Sequence, residues 1–60
     1  MLTQQDLEHH LRREREERSR AAAAADPAAR IAHLELAETH ARRAEQAKIR
    51  LSIAMEHQSI

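Results

Sequence analysis

The residues that break helices are confined to one place in this 60-residue chain. It contains no glycine and a single proline, Pro27, which follows five alanines and Asp26 in the stretch "AAAAADP". Proline disfavours helical geometry in the residue before it. Aspartate is also a good N-cap, and proline suits the first position of a helix. The sequence therefore predicts two helices that meet at residue 26, either as a kink in one rod or as a corner where the chain reverses.

Everything else in the sequence favours helix. Alanine, leucine, arginine, glutamate, glutamine and lysine, the strongest helix formers, make up most of the chain. Thr3 and Asp6 have the spacing of a capping box, which starts the first helix at Gln4. We predict one domain over residues 1–60, with helices at 4–25 and 27–57. The lack of glycine argues against a tight corner, because many helices end on a left-handed glycine.

The positions of the large apolar residues favour the corner over the kink. Leucines occur near the start of the first segment and isoleucines near the end of the second, and a reversal at residue 26 brings them together. The predicted fold is therefore all-α, an antiparallel helical hairpin. The alanines would pack at its apex, with Ala22 and Ala25 against Ala28, Ala29 and Ala32.

The second segment predicts an interface with another copy of the chain. Its apolar residues recur at steps of three and four over its whole length, and alanine lines the middle of this stripe. Ile49 and Ile53 lie off the stripe and widen the apolar surface. Because 13 of the 25 apolar residues are alanine, one hairpin has little to bury. We therefore predict a homodimeric four-helix bundle. The residues expected to carry its packing are Leu7, Leu11, Leu34, Ala37, Ala41, Ala44, Leu51 and Met55.

Charged residues fill the middle of the first segment, "RREREERSR" at 12–20. Opposite charges four residues apart stabilise a solvated helix by about 0.2–0.5 kcal/mol per pair. The alternative function is binding of nucleic acid, because the stretch carries a net positive charge. Interleaved glutamates and the lack of aromatic residues disfavour nucleic acid as a partner. The arginines that would contact it are Arg12, Arg13, Arg15, Arg18 and Arg20.

Five histidines raise the question of a metal site. His9 and His10 are adjacent, so they point about 100° apart on a helix, and His33 and His40 are two turns apart. We predict no metal and no cofactor. His33 and His40 border the apolar stripe. If an interface buries them in the neutral form, acid will charge them and loosen it.

The composition excludes several classes of protein. Ten basic and ten acidic residues balance, which favours neither nucleic acid nor an anionic membrane. The chain has no cysteine for disulfides, no apolar run near the roughly 18 residues of a membrane span, and no signal-peptide layout at its start. With no glycine loop for phosphates and no pocket expected between two helices, we predict a non-catalytic cytoplasmic protein without a membrane role.

The segment "RSRAAAAADPAARIAHLELAETHARRAE" resembles short alanine-, arginine- and glutamate-rich proteins of alphaproteobacteria. The resemblance covers residues 12–45 and consists of an arginine and glutamate helix, the motifs "DPAAR" and "HLELAE", and a second amphipathic helix. It implies a bacterial source and a helical hairpin, and it implies no activity. The architecture is also similar to that of Rop-type hairpins, which dimerise into four-helix bundles.

Three functions are therefore compared below. The first, which we predict, is a protein-interaction or regulatory module that self-associates as a homodimer. The second is a small nucleic-acid-binding regulator. The third is a subunit that folds only on a larger protein partner.

Overall fold

Two α-helices make up the described part of the chain. The computed structural model describes residues 3–58, in which α1 spans Gln4–Ala23 and α2 spans Pro27–Gln58. The helices pack together as an antiparallel hairpin without strands in these residues, so the predicted all-α hairpin is confirmed. The outermost residues of the predicted domain, 1–2 and 59–60, lie outside the described range. Over that range, neither helix combines the length and apolarity that crossing a membrane requires.

The capping box predicted from the sequence starts α1. The Thr3 hydroxyl oxygen accepts a hydrogen bond from the Asp6 backbone N–H at 3.1 Å, and the Thr3 backbone N–H donates to Oδ2 of Asp6 at 2.8 Å. These reciprocal bonds satisfy backbone donors that a first helical turn leaves unpaired. The backbone hydrogen bond from Thr3 is also the main cause that lowers the pKa of the Asp6 carboxyl below its ordinary value.

The corner is a connection of three residues, 24–26. The first helix ends at Ala23, two residues before the predicted end, because Ala24 already has extended backbone with φ −72° and ψ 126°. Nη2 of Arg30 donates to the Ala24 carbonyl oxygen at 3.2 Å. No described residue has a positive φ. An extended alanine and an arginine side chain thus take the place of the left-handed glycine that ends many helices.

The start of α2 follows the Asp–Pro signal. Oδ2 of Asp26 accepts a hydrogen bond from the Ala29 backbone N–H at 3.2 Å, and the Asp26 carbonyl accepts from the Arg30 N–H at 3.0 Å. Pro27 is the first helical residue and has no N–H, which costs nothing there because the N–H at this position has no partner within the helix. The helix then continues to Gln58, one residue beyond the predicted end.

A seam of small and polar residues joins the helices, with the alternating steps of three and four that are typical of coiled coils. On α1 the seam contains Leu7, His10, Glu14, Glu17, Ala21 and Ala24. On α2 it contains His33, Ala37, His40, Ala44 and Ala47, and Leu51 continues the same row beyond the start of α1. Among the described residues, only four alanines and Glu17 are buried, and Glu17 is the largest fully buried side chain. The buried centre of the hairpin is therefore narrow, and it contains no large aliphatic side chain. Leu7 and Leu51, on the same rows near the open end, are only half-buried.

The apex packs differently from the prediction. Ala21 is buried, whereas Ala22 and Ala25 are exposed. The prediction that Ala22 and Ala25 pack against α2 is wrong. Ala21 lies seven residues after Glu14 and so faces the seam, whereas Ala22 points about 100° away from it and Ala25 lies beyond the end of α1. Their predicted partners divide in the same way, with Ala29 half-buried and Ala28 and Ala32 exposed.

The second helix is longer than the first, with 32 residues against 20. His10 faces His40, and counting outward along both helices from this pair places Thr3 opposite Ala47. Residues 48–58 therefore extend past the start of α1 as an overhang of roughly 16 Å, at about 1.5 Å per residue. The whole hairpin measures 53 × 15 × 13 Å.

Candidate functional site

The eight residues predicted to form an interface divide into three groups. Ala37 and Ala44 are buried inside the seam. Leu34 and Met55 are exposed. The other four are half-buried along the edges of the seam: Leu7, Leu11, Ala41 and Leu51. The hairpin itself thus uses part of the surface predicted for a second copy, so any partner must bind mainly to the residues that remain exposed.

Four large aliphatic side chains lie on the face of α2 that points away from α1. Ile31 and Leu34 are 57% and 38% exposed, and Ile49 and Ile53 are 52% and 49% exposed. Between these two pairs, the same face carries the exposed charged residues Glu38, Arg42 and Glu45, and Glu35 lies at its edge. At about 100° per residue, all seven lie within roughly a third of the helix circumference, nearly opposite the seam. We call these seven residues, without Glu35, the outer stripe.

The charges of the outer stripe are not paired with one another. Glu38 and Glu45 lie four and three residues from Arg42, which are spacings that allow ion pairs on a helix. Nevertheless, no ion pair within residues 3–58 includes any of the three. Nη2 of Arg42 instead donates to Oγ1 of Thr39 at 3.4 Å. The Arg42 guanidinium is therefore available to a carboxylate from another molecule.

Glu17 is the charged side chain that the described hairpin buries, with 1% of the side chain exposed. Its Oε1 accepts hydrogen bonds from Arg20 at 2.6 Å and from Arg13 at 3.5 Å, and its Oε2 pairs with Nδ1 of His33 on α2 at 3.0 Å. Because a carboxylate only accepts, Nδ1 of His33 carries the proton. The hydrogen bond from His33, followed by that from Arg20, holds the pKa of Glu17 below its ordinary value.

A second polar contact joins the helices one heptad away. Nδ1 of His10 and Nδ1 of His40 are 3.0 Å apart, a hydrogen bond that requires a proton on one nitrogen and a lone pair on the other. The His9 ring centroid lies 6.2 Å from that of His40. Desolvation is the main cause that lowers the pKa of His40, and the positive charges of His10, Arg13 and His9 act in the same direction. One Nδ1 of the pair therefore donates and the other accepts, and the lowered pKa disfavours the charged form of His40.

Histidines that are distant in the sequence thus meet in the hairpin without forming a metal site. His10 and His40 supply two nitrogens, but no group of three or more His, Asp or Glu side chains within the described residues is arranged to hold an ion. Arg13 and Arg43 are close enough to His40 to lower its pKa, and their charges oppose a cation at the same place. We therefore assign no metal to this pair.

Four of the five arginines predicted for the nucleic-acid alternative are engaged by glutamates. Arg15 forms no ion pair with the rest of the described chain. An arginine that contacted a phosphate would first have to release its glutamate, at a cost in binding. The pairs are Arg12–Glu16, Arg13–Glu16, Arg13–Glu17, Arg18–Glu14 and Arg20–Glu17, with N to O distances of 2.5–4.0 Å.

The sequence alone predicts neither of the polar contacts between the helices. In the charged run, Glu17 is indistinguishable from its solvated neighbours, and the pattern places His33 and His40 at an interface between copies. The signal for both contacts is a shared spacing. His10 and Glu17 are seven residues apart on α1, as are His33 and His40 on α2, so an antiparallel pairing that joins one pair also joins the other.

Comparisons with known proteins supply no relative from which a function could be transferred. The resemblance to short alphaproteobacterial proteins therefore stays a prediction, and the function has to be argued from the surfaces of the chain itself. No protein-family model, curated protein or solved structure matches this chain.

Proposed function

We propose that this chain is a non-catalytic protein-interaction module that self-associates as a dimer of hairpins, four helices in all. The observation that supports the proposal is the exposure of Ile31, Leu34, Ile49 and Ile53 on the outer stripe, while the buried apolar residues of the seam are alanines. Large aliphatic side chains stabilise a fold only when they are buried away from water. In this chain, α1 does not cover them, and a second protein would.

Two further features support a second copy as that protein. The aliphatic residues lie at both ends of the outer stripe and not at one end, so two such faces can cover each other. The overhang at 48–58 carries Ile49, Ile53 and Met55 on a stretch of helix that α1 does not reach. A dimer in which each overhang packs on the other hairpin would bury both ends.

Binding of nucleic acid has less support, because arginine charge on α1 is largely neutralised by the glutamate pairs of the same helix. The remaining alternative, a subunit that folds on a larger protein, shares the exposed outer stripe with the proposal. Self-association can be measured with the purified chain, which separates the proposal from the alternative of a subunit that folds on a larger protein. Salt-sensitive binding to RNA or DNA that is lost when the α1 arginines are neutralised would support the nucleic-acid alternative.

The experiment is sedimentation velocity over a wide range of protein concentrations, combined with circular dichroism of the same samples. We expect a helical chain whose mass rises from monomer to dimer with concentration. In the variant that combines Ile49→Gln with Ile53→Gln, we expect the dimer to weaken by at least about tenfold, because each exposed aliphatic group contributes on the order of 1 kcal/mol when buried.

The matched control is Leu36→Gln. Leu36 is also exposed, but it lies on the side of α2 away from the outer stripe, so the substitution should leave the dimer intact. A folded monomer at every concentration contradicts the proposal. A monomer without helix supports the alternative of a subunit that requires a larger partner. Equal weakening by both variants rejects the outer stripe as the interface.

A further inference from the structure

The outer stripe reads nearly the same in both directions. It consists of two aliphatic residues, an acid, Arg42, an acid and two more aliphatic residues, at steps of three or four. Ile31 and Ile53 are each eleven residues from Arg42, while Leu34 and Ile49 are eight and seven residues from it. A surface with this internal symmetry can pair with a copy of itself across a two-fold axis, which is the symmetry of most homodimers.

The overhang of α2 fits the same symmetry. If two α2 helices lie antiparallel and are centred on Arg42, residues 48–58 of one copy run beside residues 26–36 of the other. Ile53 then lies next to the partner's Ile31, and Ile49 lies next to the partner's Leu34. The first part of α2 in each copy thus covers Ile49 and Ile53 of the other copy, the two aliphatic residues that lie beyond the start of that copy's α1.

The charges on and beside the outer stripe favour antiparallel pairing over parallel pairing. Glu35 and Glu38 are acidic near one end, whereas Lys48 and Arg50 are basic near the other. Antiparallel pairing brings the acidic end within about one helical turn of the partner's basic end. Parallel pairing in register would place acid beside acid and base beside base, which is destabilising between helices.

We infer that a second copy of the chain binds the outer stripe with its α2 antiparallel and the two-fold axis at Arg42. The inference rests on the proposed self-association and adds the face, direction and register of the contact. The two α2 helices lie at the centre, and each α1 lies outside its own α2. At the axis the two Arg42 side chains lie beside each other, and each is within about one turn of the partner's Glu38 and the partner's Glu45, to which its guanidinium can donate and which offset the repulsion between the two arginines.

Cysteine cross-linking tests the register directly, because the natural chain has no cysteine. A disulfide requires Cα atoms within about 7 Å of each other. We expect Arg42→Cys to cross-link with itself under mild oxidation. A mixture of Leu34→Cys and Ile49→Cys should form the mixed disulfide about tenfold faster than either variant alone forms its own disulfide. In the mixed dimer the two cysteines lie next to each other, which raises their effective concentration. Arg43→Cys, about 100° around the helix from position 42, is the matched control and should remain reduced.

Sedimentation of the same samples before oxidation separates two failures. A monomer mass at every concentration overturns the self-association and the register together. A dimer in which Leu34→Cys cross-links as fast alone as in the mixture with Ile49→Cys overturns the antiparallel register and leaves the self-association standing. A dimer in which Arg43→Cys cross-links as fast as Arg42→Cys overturns the choice of face.

Spin labels on the same cysteines give a second measurement that requires no disulfide. In the inferred dimer, labels at position 42 lie nearest each other. Labels at position 34 lie roughly 24 Å apart along the helix axes, because 16 residues at about 1.5 Å each separate them. Equal short distances at positions 34 and 42 indicate parallel helices and overturn the inference.

Discussion

Nδ1 of His10 and Nδ1 of His40 meet at 3.0 Å across a seam in which every buried described residue except Glu17 is alanine. One heptad along, Glu17 and His33 make the second polar contact between the helices. Alanine side chains are small and alike, so alanine packing alone would tolerate a shift of one helix along the other. The two polar contacts tolerate no such shift, because each requires a specific partner. They therefore set the register in which α1 lies on α2.

We expect acidification to destabilise the hairpin first at the His10–His40 contact. Because desolvation lowers the pKa of His40, the unfolded chain binds a proton more readily than the folded one. The stability from this group is therefore complete above the ordinary histidine pKa of about 6.5 and is lost as the pH falls below it. The melting temperature, measured by circular dichroism, should drop between about pH 7.5 and about pH 5.5.

The variant that tests this effect is His40→Gln, which removes the titrating pair and should lose most of the drop. The control is His9→Gln, which leaves the contact in place and removes only one of the smaller causes of the lowered pKa of His40, so most of the drop should remain. The same drop in His40→Gln as in the natural chain would assign the acid sensitivity to other groups.

Glu17→Gln is expected to lower the melting temperature by about 5–10 °C at neutral pH. The substitution keeps the size of the side chain but removes the charge that Arg13, Arg20 and His33 surround. Because the hydrogen bonds from His33 and Arg20 lower the pKa of Glu17, its contribution is present above the ordinary carboxyl pKa of about 4.3 and is lost as the pH falls below it. The cost of the substitution should therefore shrink in acid.

The control for Glu17→Gln is Glu14→Gln, which breaks an ion pair with Arg18 in which the side chains are 23% and 49% exposed, against 1% for Glu17. Ion pairs of this kind contribute little, so the melting temperature should fall by no more than about 2–3 °C. Similar effects of the two substitutions would show that burial of Glu17 adds nothing to the contact.

Ala37→Leu is expected to destabilise the hairpin by about 1–3 kcal/mol, because it adds three carbon atoms to a fully buried position. The control is Ala32→Leu on the exposed surface of the same helix, where the change should stay within about 0.5 kcal/mol. Urea denaturation followed by circular dichroism measures both. An Ala37→Leu variant as stable as the natural chain would show that the helices can move apart without loss.

Asp26→Ala is expected to cost about 1 kcal/mol, because it removes the carboxylate that accepts the Ala29 N–H at the start of α2. Asp26→Asn keeps an accepting oxygen at the same position and should preserve most of the stability. The urea concentrations at the unfolding midpoints of the two variants measure this difference in stability. Equal midpoints would mean that Pro27 and the remaining backbone bonds suffice to start the helix.

The helices and the reversal of the chain were predictable because their signals are local. Thr3 and Asp6 form a capping box within four residues, and Asp26 with Pro27 stops one helix and starts the next. The end of α1 was less predictable. Polyalanine continues past Ala23 without any break in helix propensity, and the cap that Arg30 provides comes from beyond the corner. A signal of that kind becomes visible only when the two helices are placed together.

The inward face of α2 was not predictable in the same way. The apolar stripe of α2 contains Ile31 and Leu34 as well as Ala37 and Ala44, and periodicity assigns all four to one broad face. The hairpin turns the alanines inward and leaves the larger residues exposed. The candidate interface is therefore the part of the apolar surface that the hairpin does not use, which requires knowledge of α1 to identify.

The sequence by itself determined that this chain is helical on both sides of a single break, because helix propensity, capping and proline geometry act between near neighbours. Only the tertiary structure decided which residues fill the seam. The middle of α1 is charged, so α2 can pack on it closely only through small side chains and through donors that pair with Glu17. Isoleucine or leucine in place of the fully buried Ala37, which lies between His33 and His40 of α2, would hold the helices apart and leave that carboxylate without its histidine.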